Sequence, residues 1–398
     1  MSDVQSDIFI SGGGIAGLVA AAAFAKEGFS VVLADPNVPP SEESDPLADL
    51  RSTAYLEPAR ALLQQTGAWA PLAPYATPLE ALRVVDTEGE DVAIRMDRTF
   101  VAGDLGEAAF GWNVPNWRAR ASLTEFLRNA ENVTLRFGAG LANILTRERE
   151  AIVTLSDKSR VRTKLAIGAD GRNSALRTQL GIQVKTTRYG QKALAFIVTH
   201  DDPHQNISTE VYLSGGAFTL VPLPELEGSH ASAVVWMNDG PEAVRLSNLG
   251  PENFSEAATK RSASVLGKLT LASERRVWPI VTQEANSLSS ERTALVAEAA
   301  HVLPPIGAQG LNTSLQDVSA LINLAVEQPD SIGSRAYLSA FEKKRRRDIH
   351  ARAQAIDLYN RVCRSDAPPI AGLRSLGLRL VHDVEPLRKA IMRAGMGA

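Results

Sequence analysis

Asp7-Ile-Phe-Ile-Ser-Gly12-Gly13-Gly14-Ile-Ala-Gly17-Leu-Val-Ala-Ala-Ala-Ala-Phe24 runs an apolar strand straight into a glycine loop and then an alanine-rich helix. That order of elements cradles a dinucleotide. Gly12 permits the tight turn, Gly14 lets the backbone approach a pyrophosphate, and Gly17 lets helix and strand pack closely, while the free N–H groups at the helix start face the phosphates. The next strand, Phe29-Ser-Val-Val-Leu-Ala-Asp35, ends in an acid 18 residues after Gly17. A carboxylate at that place accepts hydrogen bonds from an adenosine ribose. Strand, loop, helix, second strand and terminal acid, in that order, separate this segment from a glycine turn in an ordinary α/β unit.

Working outward, 398 residues with 44% apolar content predict two or more lobes around a large core. A single cysteine, Cys363, excludes an internal disulfide, and the acidic start Met-Ser-Asp-Val-Gln-Ser-Asp fits a cytoplasmic profile. The apolar run from Ile8 to Ala25 belongs to the cradle, so no membrane-spanning helix is expected. The formal charge is −3, but from Ser331 onward there are 14 Lys/Arg against 6 Asp/Glu. Such a basic end either attracts anionic headgroups or an acidic partner, placing the protein at the inner face of a membrane, or is a solvated helix face. No nucleic-acid motif accompanies it, and neither nucleic acid nor a metal is expected as a ligand.

The chain is expected to be α/β, with a Rossmann-like lobe in discontinuous pieces around a β-sheet insert. The first lobe covers 1–75, 101–185 and 286–345; a hairpin at 76–100 and a β-sheet substrate lobe at 186–285 interrupt it; a helical region at 346–398 closes the chain. Ala193-Leu-Ala-Phe-Ile-Val-Thr, Glu210-Val-Tyr-Leu, Ala217-Phe-Thr-Leu-Val-Pro-Leu and Ala231-Ser-Ala-Val-Val-Trp236 carry the strand pattern of the insert.

Two further motifs extend the cradle. One is Ile167-Gly-Ala-Asp170-Gly171-Arg172-Asn-Ser174-Ala-Leu-Arg177. The other is Ala297-Glu298-Ala-Ala-His301-Val-Leu-Pro304-Pro305-Ile-Gly307-Ala-Gln309-Gly310-Leu-Asn312, with Asp317 on the following helix. With the cradle, these resemble the three fingerprints of class A FAD-dependent aromatic hydroxylases, the p-hydroxybenzoate-hydroxylase-like family. Asp49-Leu-Arg51-Ser-Thr-Ala, Phe110-Gly-Trp-Asn-Val-Pro-Asn116-Trp-Arg-Ala-Arg120, Phe341-Glu-Lys-Lys-Arg-Arg346-Arg-Asp348, Gly377-Leu-Arg-Leu-Val-His-Asp-Val-Glu-Pro386-Leu-Arg-Lys389 and the closing Ala394-Gly-Met-Gly narrow it to the polyprenylphenol hydroxylases of ubiquinone biosynthesis.

The resemblance implies that Gly12, Gly14 and Gly17 hold the FAD pyrophosphate and Asp35 the adenosine ribose, with Arg51 and Arg120 along the flavin chain. It further implies that Asp170 and Gly171 serve FAD and the nicotinamide donor, NAD(P)H. Glu298 is implied to bond the ribityl chain, and the turn at Gly310, Leu311 and Asn312 to present N–H groups to the flavin pyrimidine edge. A helix N-terminus aimed there stabilises the negative charge of reduced flavin. The implied reaction adds O2 to reduced flavin as a C4a-hydroperoxide that attacks a phenol ring. The chain departs from the family where Ala297-Glu298 replaces Gly-Asp and where Ala308 replaces the first glycine of Gly-Gln-Gly. The Ala308 Cβ is expected to crowd the flavin without removing it.

No side chain is singled out as catalyst. His301 is a candidate general base, with a structural hydrogen-bonding role as its alternative. Phe218, Leu220, Pro222 and Trp236 are candidates for an apolar substrate channel, against plain core packing. Ile370, Leu373, Leu376, Leu380, Val384, Leu387 and Ile391 form an amphipathic stripe beside Arg374, Arg379, Arg388, Lys389 and Arg393. It is expected to pack on the FAD lobe or to touch a membrane or another quinone-biosynthesis protein. The substrate is a polyprenylated phenol; the alternatives are another small aromatic compound or a non-catalytic flavoprotein-like subunit.

Overall fold

The computed structural model describes residues 3–89, 91–213, 215–364, 377 and 380–396. Val4–Ser11 pairs in parallel with Val31–Asp35 on one side and Arg160–Gly168 on the other, with Ile8 opposite both Val31 and Leu165. Val133–Phe137 and Thr293–Leu295 extend this sheet in parallel, and the antiparallel strands Leu141–Thr146 and Ala151–Leu155 complete it with Ser289–Ser290. Period-two alternation separates its faces. Ile8, Ile10, Leu33 and Ile167 pack under helices Ile15–Lys26, Asn116–Arg128 and Gln309–Glu327, whereas Phe9, Val32 and Ala166 pack with Val153 and Leu155 of the antiparallel pair.

The second sheet has nine strands. Val184–His200, Ser229–Asp239, Gly216–Leu226 and Ile207–Leu213 form its centre, and Ala81–Glu88 and Ala93–Val101 its far edge. All these neighbours are antiparallel except Ile207–Leu213 with Ala81–Glu88. One face is roofed by helices Gly240–Ser247 and Pro251–Arg261, which bury Leu246, Phe254 and Ala258 against it. The other carries Ala193, Tyr212, Ala217 and Met237 and meets Ile306 and Tyr359. Three short strands, Ser52–Leu56, Gly111–Pro115 and Thr77–Leu79, form a separate small sheet.

The described residues of the basic C-terminal segment lie along the edge of the second sheet and also reach the first lobe, where Gln309 Nε2 donates to the Gly395 carbonyl at 3.0 Å. His382 Nε2 is 3.2 Å from the Thr99 carbonyl, Arg388 pairs with Asp104 at 3.0 Å, and Met392 is buried with Met96 and Phe100. The physical reason is a match of an apolar strand edge flanked by acids to a basic amphipathic helix, Glu385–Met396. Leu380, Val384 and Ile391 stay exposed, while Ile370, Leu373, Leu376, Arg374 and Arg379 lie outside the described residues. Among the described residues no helix is long and apolar enough to cross a membrane.

Both alanines at the departures from the family pattern are left-handed: Ala297 has φ 55° and Ala308 φ 55°. The Cβ therefore costs conformational energy at each, about 1–2 kcal/mol. Glycine relieves that strain but loses about 0.4–1 kcal/mol in unfolded-chain entropy. Ala297→Gly and Ala308→Gly are each expected to raise the urea midpoint, by a net stabilisation of about 0.5–1 kcal/mol. A lowered midpoint at unchanged slope would show that neither backbone is strained.

Candidate functional site

The glycine loop is built as its spacing requires. A Cβ on Gly12 would collide with the Ala169 carbonyl, and one on Gly17 with the Gly12 carbonyl, so both glycines are there for backbone contact. Gly14 differs, since a Cβ there meets nothing within 4 Å. It faces open space at the N-terminus of helix Ile15–Lys26, which has no side-chain cap and no acid in its first turn. Uncapped N–H groups facing an open cradle fit an anionic pyrophosphate. Asp35 closes one side, accepting from Gly13 N at 2.7 Å and Asn37 N at 2.8 Å. Arg120 stands beside Asp35, donating through Nε to the Gly13 carbonyl at 2.8 Å with Nη2 3.7 Å from Asp35.

Arg51 is gripped by Asp49 through Nε at 2.8 Å and Nη2 at 2.7 Å, with its guanidinium 5.1 Å from the Trp278 ring centre. Burial works against its charge, but Asp49 and then Glu298 outweigh it and raise the Arg51 pKa. Glu298 is thus near enough for its charge to act on Arg51, and its side chain is exposed.

Asp170 has a task within the protein. It accepts from Leu176 N at 3.0 Å, Ser11 Oγ at 3.2 Å and Ser174 Oγ, fixing the short helix Ala175–Gln179 to the end of the first strand. Gly171 takes the left-handed turn, φ 78°. Arg177, which sequence reasoning left without a role, is buried and donates to the Ala299 carbonyl at 2.9 Å, linking the second motif to the third.

In the third motif, Gly310, Leu311 and Asn312 lie in the first turn of helix Gln309–Glu327, whose N-terminus also lacks a side-chain cap and acidic residues. The Asn312 side chain is consumed structurally: Oδ1 accepts from Leu56 N at 2.9 Å and Nδ2 donates to Ala54 O at 2.8 Å. His301 is likewise structural. Only 2% exposed, it sets Nε2 2.7 Å from Asp317 Oδ2, while Asp317 also accepts from Ala297 N at 3.0 Å and Arg345 Nε at 2.7 Å. Burial pushes the Asp317 carboxyl up, yet the His301 and Arg345 charges prevail and hold it below its ordinary value. The hub pins Ala297, and with it the turn that carries Glu298.

The candidate channel residues need correction. Phe218, Leu220 and Trp236 point to the helix-covered face and pack there with Phe196 and Phe254. Phe218 pairs with Trp236 across the strands, so period-two alternation sends Ala217, Thr219 and Met237 the opposite way. Pro222 uses its carbonyl to accept from Asn113 Nδ2 at 2.9 Å. A small cavity lies on the other face, where Ala217 and Met237 meet Pro305 and Ile306 just ahead of the uncapped helix, with a volume of about 10 Å³. Its polar groups are missing from the sequence reading. Tyr212 OH donates to Glu210 and contacts Tyr359 OH, from the long helix Arg335–Arg364. Burial pushes the Glu210 carboxyl up, with the Tyr212 hydroxyl acting against it.

Comparison with known proteins agrees with this geometry. The family described as FAD binding domain matches residues 5–355. Ubiquinone hydroxylase UbiL of Rhodospirillum rubrum is 31% identical over 404 residues, covering 100% of this chain and 90% of its own. The 3-demethoxyubiquinol 3-hydroxylase of Escherichia coli is 26% identical over 402 residues and is covered completely, as is this chain. In fold, p-nitrophenol 4-monooxygenase PnpA from Pseudomonas putida superposes with a TM-score of 0.81 at 17% identity, over 100% of this chain and 99% of that one. The cradle, the Asp170 turn and the uncapped helix after Ala308 all fall inside the matched region, and the chain belongs to the FAD binding domain family.

Proposed function

We propose that the protein is an FAD-dependent monooxygenase that hydroxylates the aromatic ring of a polyprenylphenol in ubiquinone biosynthesis, taking its electrons from NAD(P)H. The carrying observation is likeness over the whole chain to a relative named a ubiquinone hydroxylase. Gly12, Gly14 and Gly17 with Arg120 and Asp35 would hold the dinucleotide end of FAD, and Arg51 and Glu298 its chain. When bound, FAD supplies the electron transfer and oxygen activation.

The protein's own part is placement. The uncapped helix N-terminus after Ala308 favours negative charge beside it. The small cavity next to it is lined by Ala217, Met237 and Ile306 with the Tyr212 and Tyr359 hydroxyls at its polar end, and a ring placed there would have to widen it. A prenyl tail would leave by an apolar mouth. The exposed Leu380, Val384 and Ile391 beside Arg388 and Lys389 suit contact with an anionic membrane surface or another quinone-biosynthesis protein.

Deleting the gene and extracting quinone lipids tests the reading. Loss of ubiquinone with an accumulated prenylphenol is expected. Normal ubiquinone without any such intermediate, in a strain confirmed to lack a redundant hydroxylase, would overturn it.

A further inference from the structure

Arg51 is held from two sides by different lobes. On one side Asp49 accepts from its Nε and Nη2, and Asp49 is itself fixed by Asn116 Nδ2 at 3.0 Å, at the start of helix Asn116–Arg128. On the other side stands the Trp278 ring, its centre 5.1 Å from the guanidinium carbon. Trp278 belongs to strand Arg276–Ala285 of the second sheet, opposite Ala193, and Pro279 after it keeps its backbone extended. Arg276, two residues earlier and so on the same face of that strand, points Nη2 to the Pro46 carbonyl at 3.5 Å. The second sheet thus touches the segment 36–51 twice, and that segment has neither helix nor strand of its own. Among the described residues Arg51 Nη1 has no hydrogen-bond partner, and the side chain keeps 43% of its surface exposed.

We propose that Trp278 is a positioning residue for FAD: its ring steadies the Arg51 guanidinium so that the unpartnered Nη1 edge is presented to the cofactor chain. This rests on the reading that Arg51 lies along that chain. A guanidinium is planar, with donors along its edges and faces that stack on aromatic rings. Asp49 takes one edge and Trp278 covers one face, which leaves Nη1 as the outward donor. The carboxylate alone restrains only the edge it binds. The stacked ring adds a restraint from another direction, and it removes rotamer freedom from Arg51 before FAD arrives rather than on binding. An indole does this without neutralising the positive charge, as a second acid would. The second lobe thereby takes part in holding a cofactor that is seated on the first.

The test is a double-mutant cycle on FAD affinity, measured by diluting the full-length FAD-loaded protein and following the fluorescence of released flavin. Trp278→Met fills the space without a ring face and is expected to weaken FAD binding about three- to thirtyfold, the equivalent of one cation–π contact. Trp278→Phe is expected to restore part of the loss. In an Arg51→Gln background, Trp278→Met should change the affinity by less than about twofold, because the ring then has no guanidinium to steady. A Trp278 that only packs the second sheet would weaken FAD equally in both backgrounds. Wild-type affinity in Trp278→Met, or an equal loss in both backgrounds, overturns the proposal. Should Trp278→Met not fold, tryptophans of increasing ring fluorination at position 278 keep the shape while drawing charge from the ring face. A stepwise loss of affinity is then expected, and unchanged affinity overturns the proposal. Unchanged affinity in Arg51→Gln alone counts against the placement of Arg51 along the FAD chain and removes the premise, whereas a loss there with none in Trp278→Met counts against Trp278 alone.

Discussion

Arg345→Met is expected to cost about 3–5 kcal/mol of stability, because it leaves a fully buried carboxylate without its guanidinium partner. Asp317 has no exposed side-chain surface, and Arg345 binds it through Nε at 2.7 Å while also donating to Asp348 at 2.8 Å and to the Thr313 carbonyl at 3.2 Å. His301 and Ala297 N remain with Asp317 but do not replace that charge. The pinned turn at Ala297–Glu298 should loosen, so FAD retention falls together with the urea midpoint. Asp317 is depressed below its ordinary value in the folded protein. Its contribution is present above the unfolded pKa of about 3.9 and is lost as pH falls through the lower folded value. Arg345→Met should therefore also move the acid unfolding limb to higher pH. A variant with wild-type midpoint and acid limb would show that the hub carries no stability.

Gly14→Val and Gly17→Val should fail in opposite ways, although three residues apart in one loop. At Gly14 the side chain enters open space, so the apoprotein is expected to fold normally and to lose FAD. Blocking two or more hydrogen bonds to a charged phosphate, at about 1.5–3 kcal/mol each, weakens binding by more than about a hundredfold. At Gly17 the side chain strikes the Gly12 carbonyl, and relief requires moving the first strand off its helix. That variant should not reach a stable fold. Circular dichroism and flavin absorbance separate the outcomes: a folded Gly14→Val protein with full FAD would contradict the cradle, and a stable Gly17→Val protein would contradict the close packing.

The cradle was legible because each glycine answers a local demand that spacing alone expresses: a turn at Gly12, an approach at Gly14, a contact at Gly17. The α/β class followed from strand and helix periodicity around it. Which face of the second sheet carries the small cavity was not legible. Alternation in Ala217–Leu223 shows that two faces exist, but only the helices Gly240–Ser247 and Pro251–Arg261, arriving later in the chain, decide that Phe218, Leu220 and Trp236 lie beneath them. The polar end of the cavity joins Tyr212 to Tyr359 from distant parts of the chain, and no local pattern announces such a pair. His301 read ambiguously for a similar reason, since its role is set by Asp317 and Arg345 on two other helices.

The most direct measurement is incubation of the purified FAD-loaded protein with NADPH or NADH, a short-chain 2-prenylphenol and 18O2, followed by mass spectrometry of the extracted lipid. The account predicts a product heavier by one 18O atom on the aromatic ring, absent when the prenylphenol or the nicotinamide is omitted. Steady oxidation of the nicotinamide with no 18O in the lipid, at full flavin occupancy and with the prenylphenol bound, would contradict it.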